Sequence, residues 1–248
     1  MAISPYANQP ISNWSTITND LIKNYPIPLN EILEIATLAW YRLWSSRIGD
    51  DIKISEVDLP ATVVGYFFQK LFAHELAKRY PSSWRGELNK SDKDLVNLNN
   101  SVFSTEMKSS GQAGYSLFGN RSYNQESINA SITGKDKSGY YITLNFYRQS
   151  MTLLRIGWID QDDWLPQGSQ TGQAATLHPD VYKYKLVEIR GSYILDTPIE
   201  LLRGVGPAAL RLFHAAGVYT LNDLKQYNGS NNHVIKFQKA NWEYLQGL

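Results

Sequence analysis

The sequence predicts a mixed α/β domain followed by a small all-helical module. Three observations lead there. Two long stretches of the first third carry apolar residues at helical spacing, strand-like segments fill the middle, and short helical patterns replace them beyond Thr197-Pro198. Residues 29–46, LNEILEIATLAWYRLWSS, form the first helix, with Asn30 placed to cap its start. A second helix runs through DLPATVVGYFFQKLFAHELAKRY, with Pro60 suited to its first turn and Pro81 following its end. DKDLVNLNNSVFSTEMK reads as strand, Asn-rich turn, strand, and residues 139–147 and 151–159 read as another pair of strands. Residues from about 160 to 174 read as a polar loop, and KYKLVEIRGSYIL as one more strand. The boundary falls near 196, which divides the chain into 1–195 and 196–248.

With 248 residues, 43% hydrophobic and 19% charged, the chain can bury a substantial core. It has no cysteine, which excludes disulfides and thiolate-bound zinc. The start, MAISPYANQPISNW, lacks the basic end and apolar stretch of a secretory signal. The longest apolar run, LPATVVGYFF, is about half of what a membrane-spanning helix needs. A soluble, cytoplasmic protein with no membrane partner is expected. The net charge of +1 makes no global case for nucleic acid. The last quarter does lean basic, through Lys183, Lys185, Arg190, Arg203, Arg211, Lys225, Lys236 and Lys239.

The segment SDKDLVNLNNSVFSTEMKSS carries the candidate chemistry. Taken as an antiparallel hairpin centred on Asn100, it pairs residues whose numbers sum to 200, so Asp94 faces Glu106 and Asp92 faces Lys108. Opposed residues share a face, as do residues two apart, and Asp94, Glu106 and Lys108 would converge. Two adjacent carboxylates repel unless a cation lies between them, which suggests a hard, oxygen-liganded ion such as Mg²⁺. Lys108 could hold a phosphate or assist an attacking water. The alternative for the same residues is a surface salt bridge on an ordinary hairpin.

Asp-x(11)-Glu-x-Lys on a hairpin after a long helix resembles the PD-(D/E)XK nuclease superfamily. The resemblance implies a restriction-endonuclease-like mixed β-sheet core flanked by helices, with Asp94 and Glu106 binding Mg²⁺ and Lys108 assisting the attacking water. Lys93 stands where a proline often precedes the aspartate, and Asp92 is a rival for the first position. The preceding helix supplies Gly65 but Gln69 where an acid is common, with Glu75 the nearest alternative. Ser109 and Ser110 are small enough to let the backbone approach DNA. FGNRSYNQ gathers Asn120, Arg121, Tyr123 and Gln125, and Asn, Gln and Arg read base edges. A plain polar loop is the alternative there. Together with LRIGWIDQDDW and the GQAATL loop, these segments resemble a type II restriction endonuclease over most of residues 56–195. That resemblance implies a Mg²⁺-dependent enzyme cutting double-stranded DNA at a short palindrome as a homodimer, beside a methyltransferase that protects the host's own sites.

The segment TPIELLRGVGPAALRLFHAAGVYTLNDLKQY resembles a helix-hairpin-helix module. Gly204 and Gly206 permit a tight turn with open backbone N–H groups, Pro207 begins the next helix, and Thr220 with Asp223 forms an acidic capping box. Such a module grips the DNA backbone without reading sequence. The four histidines show no metal-ligand spacing, TGKDKSG is not a phosphate loop, and no Gly-x-Ser-x-Gly elbow occurs. Asp160, Asp162 and Asp163 fit either a cation site or a solvated loop. Two other functions remain open from sequence: a structure-specific repair nuclease or junction resolvase, and a non-catalytic DNA-binding protein.

Overall fold

The computed structural model describes residues 3–120, 137–166 and 174–247. Three helices lead: α1 (Ile11–Lys23), α2 (Leu29–Ser45) and, after a short hairpin of β1 (Arg47–Ile48) and β2 (Ile52–Lys53), α3 (Ala61–Arg79). Strands β3 (Trp84–Gly86), β4 (Leu95–Asn97), β5 (Thr105–Gly111) and β6 (Phe118–Asn120) follow, then the long pair β7 (Gly139–Tyr147) and β8 (Ser150–Ile159). Strands β9 (Trp164–Pro166), β10 (Ala174–Leu177) and β11 (Leu186–Glu188) complete the sheets. Helices α4 (Pro207–Ala215), α5 (Leu221–Gln226), α6 (Asn232–Ala240) and α7 (Trp242–Gln246) close the chain.

The central sheet has the order β11-β8-β7-β5-β4-β3. It is mixed: β5 and β7 run parallel, and the other pairs run antiparallel. Alternation along β7 and β8 sends Tyr140, Ile142, Leu144, Leu154, Ile156 and Trp158 into one core with α2 and α3. Tyr141 and Ile159 point the other way, into a second core with Leu117, Trp164, Ala175 and Leu177. That face is covered by a smaller sheet of order β6-β10-β9. Covering both faces explains why GYYITLNFY is apolar almost throughout. From α3, Phe68 and Phe72 are fully buried, which contributes about 1.5–3 kcal/mol each. Tyr66 and Phe67 lie on its exposed side.

The last helices share the larger core, through Ile199, Phe213, Leu224, Val234 and Leu245. Backbone bonds from Ile199 N–H to the Tyr219 carbonyl (2.8 Å) and from Leu221 N–H to the Thr197 carbonyl (3.0 Å) fasten them.

Several sequence expectations are corrected. Pro28, not Asn30, is the N-cap residue of α2, and no side chain caps that helix. α1 adds a helix to those expected from the sequence, and its Ile11, Trp14, Ile17, Leu21 and Ile22 do recur at helical spacing. KYKLVEIRGSYIL is not one strand. Lys183–Lys185 belong to a π turn, only Leu186–Glu188 pairs, and Ser192–Asp196 is a 3-10 turn. Of the three acids expected in a loop here, Asp162 is exposed, while Asp160 and Asp163 are paired with a lysine. Asp163 is buried, and the Lys185 ammonium lies 2.9 Å from Asp160 Oδ2 and 2.8 Å from Asp163 Oδ2. Lys185 is itself buried, over the rings of Tyr6 and Trp14, and so cannot belong to a basic surface. Ser4 Oγ and Trp158 Nε1 donate to Asp160 (both 2.8 Å), so the cluster ties the N-terminus to the end of β8.

Removing that ammonium would leave the buried carboxylate of Asp163 and the part-buried one of Asp160 without their cation. Lys185→Met should lower stability by about 3–5 kcal/mol, read from the urea midpoint. An unchanged midpoint would show the cluster to be incidental.

Candidate active site

The turn between β4 and β5 is built by its own side chains. Asn97 Oδ1 accepts the N–H groups of Asn99 (3.0 Å) and Asn100 (2.8 Å), and Ser104 Oγ accepts that of Asn97 (3.1 Å). These bonds fix the register. Leu95 lies opposite Thr105, the pairing whose numbers sum to 200. One residue before β4, the ladder stops and a side chain takes over: Asp94 Oδ2 accepts the Met107 N–H at 2.6 Å. Its other oxygen accepts from Gln69 Nε2 of α3 at 2.8 Å.

Glu106 and Lys108 point to one face of β5. Thr105, Met107, Ser109 and Gly111 point to the other, where α3 lies. Thr105 Oγ1 is bonded to the Tyr25 hydroxyl (2.7 Å). A Cβ added at Gly65 would lie 3.0 Å from that of Ser109, and one at Gly111 would overlap Phe146 and Ala61 at 2.5 and 2.7 Å. Asp94 and Glu106 are buried, at 6% and 4% exposure, and Lys108 Nζ lies 3.2 Å from Glu106 Oε1. The Lys108 side chain is more exposed than Glu106, which puts the ammonium at the wetter end. The structure therefore sets Glu106 and Lys108 on one face of β5 and Asp94, just before β4, against the backbone of Met107 between them.

Asp92 does not face Lys108. It closes the turn before β4, accepting from Arg85 Nη1 (2.8 Å) and from the N–H groups of Leu88 (3.0 Å) and Asn89 (3.2 Å). Arg85 first, then the backbone donors, holds its carboxyl at about 2, below the ordinary 3.8. Glu75 is buried and ion-paired with Arg42, so the contact from α3 comes from Gln69, four residues after Gly65. Ser109 packs beneath Gly65, on the face away from Glu106, whereas Ser110 shares the Glu106 face and is buried.

Asn120 ends β6, opposite Ala174. Arg121, Tyr123, Gln125 and the loop 167–173 lie outside the described residues. In the C-terminal segment the first expected helix is only a 3-10 turn, Ile199–Leu201. Gly204 has φ +92°, the left-handed region that favours glycine. Gly206 caps α4 with Pro207 at its first position, and a Cβ there would meet nothing within 4 Å. Thr220 and Asp223 cap α5 reciprocally, at 3.2 and 2.9 Å. Sequence reasoning missed Asn145 and Arg155, buried on the Glu106 face of β7 and β8. An arginine inside the apolar run MTLLRIGWI was the available signal. Among the described residues no group of three or more His, Cys, Asp or Glu is placed to hold a metal ion, and no helix is long and apolar enough to cross a membrane.

The profile of the ScaI restriction endonuclease family matches residues 4–190. The type II restriction enzyme ScaI of Streptomyces caespitosus is 34% identical over 195 residues, covering 75% of this chain and 84% of that enzyme. No solved structure matches. A mixed sheet flanked by helices is thus the framework of a type II site-specific deoxyribonuclease. The chain belongs to the ScaI restriction endonuclease family.

The Asp92 turn has a pH signature. Its folded pKa is depressed, so its stabilisation is present above about pH 4 and lost as pH falls towards about 2. Asp92→Asn should remove that part of the acid-unfolding curve and leave DNA cleavage intact. Loss of cleavage with normal folding would return Asp92 to the active site.

Proposed function

We propose that the chain hydrolyses phosphodiester bonds of double-stranded DNA with Mg²⁺, at a short palindromic site, as a homodimer. The observation that supports this most is the burial of Glu106 on β5 and of Asp94 against the same strand, with the Lys108 ammonium at 3.2 Å from Glu106. Buried carboxylates are costly unless a cation meets them. Mg²⁺ is typically held by one or two carboxylates, with water and substrate phosphate filling the rest, and this donor set fits it. Asp94 and Glu106 would be the protein ligands. When bound, the ion supplies polarisation of the scissile phosphate and neutralises charge that develops there.

The other groups prepare the site. Gln69 and the Met107 N–H fix both oxygens of Asp94, so the carboxylate does not need to reorganise when DNA arrives. Lys108, on the same face, orients the attacking water or stabilises the negative charge growing on the phosphoryl oxygens. Ser110, Asn120 and the stretch through Arg121, Tyr123 and Gln125 would make contact with DNA and select the site. The Gly204–Gly206 turn and the start of α4 would grip the backbone as a helix-hairpin-helix module of residues 196–248. A twofold palindrome matches two subunits, each cutting one strand. A methyltransferase of the same specificity would protect the host DNA, and both would work in the cytoplasm.

Incubating the protein with a long duplex should give discrete fragments that require Mg²⁺. Asp94→Asn and Glu106→Gln should each lower the cleavage rate by about 10²–10³-fold or more while folding and binding persist. Cutting confined to branched DNA would favour a repair nuclease, and variants that cut normally would refute the site. Gly206→Gln is accommodated by the fold and should weaken binding to every duplex alike, leaving site preference unchanged. A shift in preference would refute the phosphate-grip role.

A further inference from the structure

Between β5 and β6 the chain crosses a six-residue strap, residues 112–117. Residues Ala113 to Ser116 are exposed on its outer side, Tyr115 at 49%. Beneath it, four consecutive residues are held by side chains rather than by a strand. Asn145 Nδ2 donates to the carbonyls of Gly114 (3.4 Å) and Ser116 (3.1 Å). Arg155 Nη2 donates to the carbonyl of Tyr115 (3.0 Å) and to Asn145 Oδ1 (2.6 Å). The Tyr182 hydroxyl accepts the Leu117 N–H at 2.8 Å, and its ring lies under the Arg155 guanidinium, 5.2 Å from centroid to Cζ.

This is an unusual way to fix a loop. Asn145 is fully buried and Arg155 is 5% exposed, yet no carboxylate among the described residues is ion-paired with Arg155. Its acceptors are a carbonyl and an amide, both neutral. Burial accordingly lowers the guanidinium pKa to about 10. An apolar pair would fill this space at less desolvation cost, so the polar pair needs a different explanation. Its place in the sheet supplies one. Asn145 is the register partner of Ser110, and Arg155 is that of Thr143, which itself pairs with Lys108. The fastening thus lies on the face that carries Glu106 and Lys108, on the two strands beside β5.

We propose that Asn145, Arg155 and Tyr182 are positioning residues for site selection. They fix the path of the strap, and hence of β6 and Asn120 at its end, relative to Glu106 and Lys108. DNA that fits the strap's outer side is then delivered in register with the cleaving groups. DNA that fits poorly is held out of register and cut slowly. The inference rests on the nuclease reading of Asp94, Glu106 and Lys108 and extends it from chemistry to discrimination.

Two substitutions keep the packing and release the strap. Asn145→Asp retains the acceptor for Arg155 but turns oxygen towards the Gly114 and Ser116 carbonyls. Tyr182→Phe retains the ring beneath Arg155 and removes only the hydroxyl. For each, kcat and KM are measured on a duplex with the wild-type site and on duplexes with single-base changes, together with the unfolding midpoint. The ratio of kcat/KM between true and altered sites should fall about tenfold in Asn145→Asp, the scale of one lost buried hydrogen bond, and less in Tyr182→Phe. Arg155→Lys, which keeps the charge, should fall between them. An equal drop on all duplexes, or lower stability with unchanged ratios, would overturn the inference and leave a purely structural fastening. Wild-type protein that gives no discrete fragments would overturn the nuclease reading and this inference with it.

Discussion

One hydrogen bond, from the Met107 N–H to the Asp94 carboxylate, determines how the rest of the site can be built. An antiparallel ladder would normally continue past Leu95 and Thr105, with a backbone carbonyl in that position. Here the side chain substitutes for the carbonyl, so β4 leaves the sheet just where Asp94 begins. The departure brings a carboxylate beside β5 without burying an unsatisfied donor. Gln69 then holds the second oxygen, and the helix that carries Gln69 is placed by its own apolar packing. Sheet and helix thus meet at Asp94, where the ladder is interrupted.

The sheet separates two kinds of interior. Its helical face is continuous hydrocarbon and aromatic packing, from Ile32 and Ile35 through Phe68 and Phe72 to Ile142 and Ile156. Its other face mixes a smaller apolar cluster with Glu106, Lys108, Thr143, Asn145 and Arg155. Glu106 and Arg155 are thus buried on the side that the smaller sheet and the strap cover. The region matched by the ScaI family, residues 4–190, contains both faces, and α4 to α7 lie beyond it. Those helices nonetheless bury Ile199, Phe213 and Leu224 in the larger core.

Much of this was legible in the sequence where cause and effect were local. The hairpin register assumed around Asn100 holds at Leu95 and Thr105, because Asn97 and Asn100 bond neighbouring backbone groups. The long strands β7 and β8 announced themselves by length and composition. Asp92 illustrates the limit: alternation alone gave it a place opposite Lys108, but the backbone donors of Leu88 and Asn89 draw it into a turn. The buried cluster of Lys185 with Asp160 and Asp163 joins residues more than twenty positions apart, and nothing local distinguishes it from a solvated acidic loop. Strands β6, β9 and β10 are too short to show alternation and exist only through mutual pairing. Within the site, the triad of residue types could be read from spacing. The support from Gln69 could be posed only as a question, since a side chain's reach depends on how a helix lies across a strand.

The close seam between α3 and β5 has a mechanical meaning. Gly65 sits against Ser109, and Gly111 is wedged between Phe146 and Ala61 with no room for a further carbon. Side chains elsewhere can absorb small displacements by rotating, but this contact has no such slack. Helix and strand are thus held against sliding past one another, which keeps Gln69 of the helix beside the Asp94 carboxylate.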